Sequence, residues 1–196
     1  MITVGDVMNM RAFDSIWLAT PCDGAAAREV TGVGTLDHEP FTGGYEVFTS
    51  GEFVFTTLGF AGVHPDLAEG ALLALIECGV AAVAVKPVVL KELPPTVVQA
   101  SAARGVPVFF YEGRYMERVI ADLMNLLDDD AAEWERNHLI DLILAPSDEH
   151  AVRSTFFTIA GVTGATIQCL AIRPVTDDGA SLRALQKVVE GVLTSY

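Results

Sequence analysis

The chain has 196 residues, of which 51% are hydrophobic and 19% charged, and its formal net charge is −14. That composition excludes a disordered chain, and the acidity sets the surface against phosphate backbones and anionic membranes. No apolar run reaches the ~18 residues needed to span a bilayer, and the opening MITVGDVMNM lacks the basic start and apolar stretch of a secretory signal, so a soluble, cytoplasmic protein is expected.

From the N-terminus, Thr3 can cap a short helix, with Asp6 completing a capping-box pair. Val4, Val7, Met8 and Met10 give that helix an apolar face. Ser15–Thr20 reads as a strand, and Glu29–Leu36, with two glycines, as a second. Phe41–Gly44 and Ser50–Gly51 are turns. Glu52–Thr57 is aromatic and β-branched, hence a strand.

The rhythm then changes. A helix opens at His64-Pro65-Asp66, runs to Cys78 and stops at Gly79, a natural glycine stop. Val80–Val85 is wholly apolar, which suggests a strand covered on both faces. Pro94-Pro95 starts another helix that ends at Gly105, and Val106–Tyr111 is the next apolar strand. Residues 52–111 therefore read as a βαβαβ unit with a parallel sheet. The two earlier strands are expected to complete a mixed sheet at one edge.

From Arg114 an apolar helical stripe runs through Met116, Val119, Ile120, Leu123, Met124 and Leu127. Asp128-Asp129-Asp130 interrupts it as a solvated face or a new helix start. Trp134, His138, Leu139, Leu142 and Ile143 continue it to Pro146, as a connecting helix and a candidate dimer seam. Ser147–Ala160 is a further helix, Thr166–Ile172 a strand and Ser181–Leu193 a helix. One lone strand cannot satisfy its two edges, so residues 147–196 read as the opening of a second, truncated domain. The alternatives are an addition to the first domain or pairing with another copy. The fold class is thus α/β: a mixed, mostly parallel sheet with a βαβαβ core flanked by helices, then a helical linker and a partial second α/β unit.

Chemistry-bearing motifs are sparse. There is no phosphate-binding G-x-x-x-x-G-K-[ST], no G-x-G-x-x-G at a strand-to-helix turn, no H-E-x-x-H, C-x-x-C or G-x-S-x-G. Cys22, Cys78 and Cys169 are far apart and read as buried or half-buried thiols. Asp37-His38-Glu39 could be named a metal trio, but sequence neighbours point different ways, and a polar loop is the reading. No catalytic residue, metal or cofactor is expected. In open α/β sheets ligands sit outside the carboxyl ends of the parallel strands. Thr56, Thr57, Lys86, Glu112 and Arg114 would converge there and could hold a small polar or anionic molecule, with Glu52 as a further member of the set. The competing reading is that Lys86 pairs with Glu112 or Glu52 and that the threonines satisfy loop backbone.

The same segments carry a family resemblance. T-V-G-D-V-M, R-E-V-T-G-V, S-G-E-F-V-F-T-T-L-G, G-V-A-A-V-A-V-K and G-V-P-V-F-F-Y, in this order over residues 2–125, resemble the N-terminal domain of the purine catabolism regulator family. His138–Ala145 resembles that family's helical linker. Thr166–Pro174 and Ser181–Leu193 resemble the start of its GGDEF-like middle domain. The resemblance implies a sensing domain over 1–125, a linker over 126–146 and a truncated middle domain over 147–196. It implies a bacterial transcription regulator that binds a small-molecule effector of purine or nitrogen catabolism. It also implies a homodimer, contact with DNA only through a helix-turn-helix absent from this chain, and no membrane. An oligomerisation scaffold without ligand is the alternative. An enzyme fragment similar to the N-terminal domain of muramoyl-peptide ligases is a third reading, by fold analogy.

Overall fold

The computed structural model describes residues 1–113, 115–144 and 149–161. The chain divides into two compact units, Met1–Leu142 and Ile143–Tyr196. The first is a three-layer α/β unit with a five-stranded, mostly parallel sheet, the class expected from the sequence.

Strand β1 (Ile2–Thr3) leads into helix α1 (Val4–Met8). The capping box forms: the Asp6 amide donates to Thr3 Oγ1 (3.3 Å) and the Thr3 amide to the Asp6 carboxylate (2.8 Å). Strand β2 (Phe13–Leu18) follows. The expected strand over 29–36 is two strands, β3 (Glu29–Val30) and β4 (Gly32–Thr35). They diverge at Thr31, whose amide donates to the Gly51 carbonyl (2.9 Å). β3 pairs antiparallel with β1 through Ile2↔Val30, whereas β4 enters the main sheet. Gly51 has φ 95°, and a Cβ there would collide with Thr31 Oγ1, so only glycine fits this crossing.

A short helix α2 (Glu39–Thr42) replaces the expected turn. Then come β5 (Glu52–Thr56), α3 (Asp66–Cys78), β6 (Ala82–Val85), α4 (Pro95–Arg104) and β7 (Val108–Gly113). The strand order is β2-β7-β6-β5-β4. β4 to β7 run parallel, with registers Val54↔Val83 and Ala84↔Phe109, and β2 is antiparallel to β7. The two early strands therefore lie at opposite margins, not at one edge as expected. The βαβαβ core leaves an unpaired row of backbone groups on each side, and one strand satisfies each.

Both crossover helices stop where the sequence places them, at left-handed Gly79 and Gly105. They pack Leu72, Leu75, Ile76 and Val97 against Val54, Val83, Val85 and Val108. The opposite face is covered by α1 and by α5 (Met116–Leu144), through Val4, Val7, Val119 and Leu123 against Phe53, Phe55, Phe109 and Tyr111. Cover on both faces explains why these strands carry no polar alternation.

Helix α5 is continuous over 29 residues. The acid run does not interrupt it: Asp128 and Asp129 point to solvent. The helix also crosses the expected 125/126 boundary without a break. Past Leu127 its side chains are mostly exposed, Trp134 to 67%. In the second unit, helix α6 spans Glu149–Ala160, within the helix expected over Ser147–Ala160, and Ser147 lies outside the described residues. The strand expected over Thr166–Ile172 and the helix over Ser181–Leu193 lie outside the described residues. No helix among the described residues is long and apolar enough to cross a membrane.

Candidate functional site

The carboxyl edge of the parallel strands is formed by the ends of β4 to β7 and by the start of antiparallel β2, where Phe13 pairs with Gly113. At the end of β5, Thr56 is fully buried. Its hydroxyl donates to the Leu36 carbonyl (3.1 Å) and accepts from the Leu58 amide (3.0 Å). It therefore ties β4 to β5, and its hydrogen-bonding capacity serves the backbone. Leu58 follows with φ 49°, left-handed and fully buried. Left-handed backbone is unfavourable for leucine, and such strain persists only where packing enforces it.

Lys86 sits directly after β6, and its ammonium donates to the Gly113 carbonyl at the end of β7 (3.3 Å). Glu112 lies opposite Ser15, whose hydroxyl donates to its carboxylate (3.4 Å). Thr57 is half-buried beside Thr56. The fold thus brings Thr56, Thr57, Lys86 and Glu112 to one edge. Glu52 is not with them. It opens β5, at the amino end, and accepts from the Thr49 amide (3.3 Å). Four strand residues, roughly 13 Å at the usual rise, separate it from Thr56. Arg114 lies outside the described residues.

The β4–β5 side of the same edge carries rings. Phe41 of α2 meets His38 (centroids 5.6 Å), His64 (5.6 Å) and Phe60 (6.0 Å). His38 is thus a ring partner of Phe41, and no group of three metal-ligating side chains occurs among the described residues. Burial pushes the Cys22 and Cys78 thiols up, away from a reactive thiolate. Cys169 lies outside the described residues.

Beside the start of β2, on the α5 face, lies a groove of about 310 Å³. Met10, Arg11 and Ala12, in the turn that the Phe13 amide closes onto the Met10 carbonyl (3.4 Å), form one wall. Asp122, Asn125, Leu126 and Asp129 of α5 form the other. These four recur at i, i+3, i+4 and i+7, one face of a helix. The groove pairs an apolar floor with a guanidinium, an amide and two carboxylates, so it can both donate and accept hydrogen bonds. Sequence reasoning missed it. The polar face of α5 was legible, but the turn that faces it is remote in sequence.

Arg28 was also missed. Its guanidinium donates to four carbonyls: Ala81 (2.8 Å), Gly105 (2.8 Å), Val80 (2.9 Å) and Gly79 (3.3 Å). It satisfies the carbonyl ends of both α3 and α4 at the amino end of the sheet. The one available signal was a lone arginine before a strand.

Comparison with protein-family models and with curated proteins finds no match to this chain.

Proposed function

We propose that this chain is the sensory region of a cytoplasmic bacterial transcription regulator, not an enzyme. In this reading a small effector binds at the carboxyl side of the sheet and biases how α5 packs. The helix carries that bias to a DNA-reading domain beyond this chain, within a homodimer. The observation that supports the reading is that α5 both walls the groove and extends well beyond it. Asp122, Asn125, Leu126 and Asp129 line the groove, and the same helix runs on for a further fifteen residues with exposed side chains at Trp134, Ile140 and Leu142. A ligand held between the Met10–Ala12 turn and α5 has different affinities for docked and undocked helix, the one requirement for shifting such an equilibrium. Purine or other nitrogen-rich catabolites suit the groove's mixed donors and acceptors, in keeping with the family resemblance.

A thermal-shift screen against purines, their breakdown products, nucleotides and amino acids tests the reading. A ligand at 100 times its dissociation constant adds about 2.7 kcal/mol of stability. A hit lost in Asp122→Ala seats the effector in the groove, and a hit lost in Lys86→Ala seats it at the strand ends. No hit across the panel favours the second reading, a scaffold assembled through the exposed apolar residues of α5.

A further inference from the structure

β2 is the antiparallel margin of the sheet, paired on one side with β7. The Ala19 amide donates to the Val108 carbonyl (2.8 Å), which fixes the alternation along the strand. Ser15 and Trp17 share the phase of Ala19 and turn their backbone groups toward β7. Ile16 and Leu18 turn theirs outward. Among the described residues no strand pairs with that outer side. Trp17 and Leu18 lie on opposite faces of the sheet and are 42% and 40% exposed, so both helical layers stop short of this margin. Edge strands are ordinarily guarded by a lysine, a proline or a bulge. Here the bulge between Phe13 and Ser15, with Asp14, guards only the start. Ile16–Leu18 carries no charge and no proline.

We propose that a second copy of this chain pairs antiparallel along β2, joining two five-stranded sheets into one of ten strands about a twofold axis at Ile16 or Trp17. Those two registers keep both the outward amides and the side-chain faces in phase. Charge selects the antiparallel arrangement. A parallel, in-register pairing sets Asp14 against Asp14, whereas these registers set Asp14 of one copy against Leu18 or Thr20 of the other. The contact is isologous and closes on itself, as a twofold dimer requires. A pair of six-residue strands gives a small interface, and two chains of −14 repel, so the dimer dissociates on dilution and strengthens with salt. The inference rests on the dimeric part of the proposed reading and is independent of any effector.

The test uses the full 196-residue chain. Sedimentation velocity from about 5 to about 500 μM, the range where small interfaces titrate, should show a dimer fraction rising with concentration and with added salt. Residue-resolved amide exchange by NMR should show Ile16 and Leu18 slowed at least about tenfold in the dimer relative to the dilute chain, since outward edge amides otherwise exchange freely. Trp17→Glu, which sets an acid beside the axis in both copies, should return the monomer. A monomer throughout overturns the proposal. So does a dimer in which the Ile16 and Leu18 amides stay fast, which would place the contact elsewhere, on α5 for example. If Trp17→Glu fails to fold, amide exchange in the unaltered chain still decides. A failed effector screen leaves these outcomes untouched.

Discussion

Thr20 Oγ1 and Ser101 Oγ lie 2.7 Å apart, both buried, and join the end of β2 to helix α4. The Val108 amide donates to Thr20 Oγ1 (3.0 Å), and Ser101 Oγ is 2.6 Å from the Val106 carbonyl. Ser101 has one proton, and only it can serve Val106. Thr20 must therefore donate to Ser101, which gives a directed chain from the β7 amide through two hydroxyls to the loop before β7. Ser101→Ala leaves Thr20 without an acceptor in a site closed to water. It should cost about 1–3 kcal/mol, the usual penalty for a buried polar group left unpaired. A double-mutant cycle with Thr20→Val, read by urea denaturation, should recover a coupling between the two sites, because either single variant already loses the Thr20–Ser101 hydrogen bond.

Arg28 is the second test of the scaffold. Four carbonyls from two helix ends and one strand start converge on a single guanidinium. An ammonium has three donors on one atom and cannot reproduce that fork. Arg28→Lys should therefore lower stability by about 2–4 kcal/mol, close to the effect of Arg28→Ala, since charge-assisted hydrogen bonds are each worth more than neutral ones. Thermal melts of the two variants check it. A lysine variant that melts like the parent would show that positive charge near the carbonyls, not the fork, is what matters.

What the sequence disclosed follows from the range over which each signal acts. Gly79 and Gly105 end their helices where expected because a left-handed stop is a property of one residue. Asp6 and Thr3 form their capping box because the two are three residues apart. The parallel core was legible because Val80–Val85 and Val106–Tyr111 are apolar throughout. Placing β2 and β4 at opposite margins was not, because each of them reads alone as an edge strand and nothing local says which edge. Thr31 split one apparent strand in two for the sake of Gly51, twenty residues away. Of the expected strand-end set, Thr56, Thr57, Lys86 and Glu112 do share an edge, since that follows from parallel order. Glu52 does not, since it opens the strand that Thr56 closes. The groove needed both Arg11 and Asp122, more than a hundred residues apart.

Gly113 ends β7 with φ 126°, and a Cβ built there would sit 2.7 Å from the Asp14 amide nitrogen. The obstacle is backbone on the bulged start of β2, which cannot swing away as a side chain can. Gly113→Ala should therefore shift the β2 bulge or destabilise the chain by about 1–3 kcal/mol, the range for a residue forced into a left-handed or extended-positive conformation. Because the Gly113 carbonyl also accepts from Lys86, the variant should weaken any ligand seated at the strand ends more than one seated in the α5 groove. Melting temperatures with and without a hit from the effector screen separate the two.

Tyr111 is fully enclosed against Phe13 and Phe55, and its phenolic oxygen has no hydrogen-bond partner among the described residues. Burial, with the nearby Glu117 carboxylate adding to it, pushes its phenol up to about 12. The unfolded chain releases that proton near the usual value of about 10. The native state thus holds the proton that the unfolded state loses, so Tyr111 contributes stability that is whole below pH ~10 and is lost as pH rises toward about 12. Tyr111→Phe removes both the unpaired oxygen and this titration. At neutral pH the variant should be as stable as the parent or slightly more so, because replacing an unpaired buried hydroxyl by hydrogen removes a desolvation cost. Between pH 9 and pH 11 its urea midpoint should fall less than the parent's. A variant that is less stable at neutral pH would mean that the hydroxyl is satisfied in solution by water reaching toward Glu117, and the alkaline difference would then shrink with it.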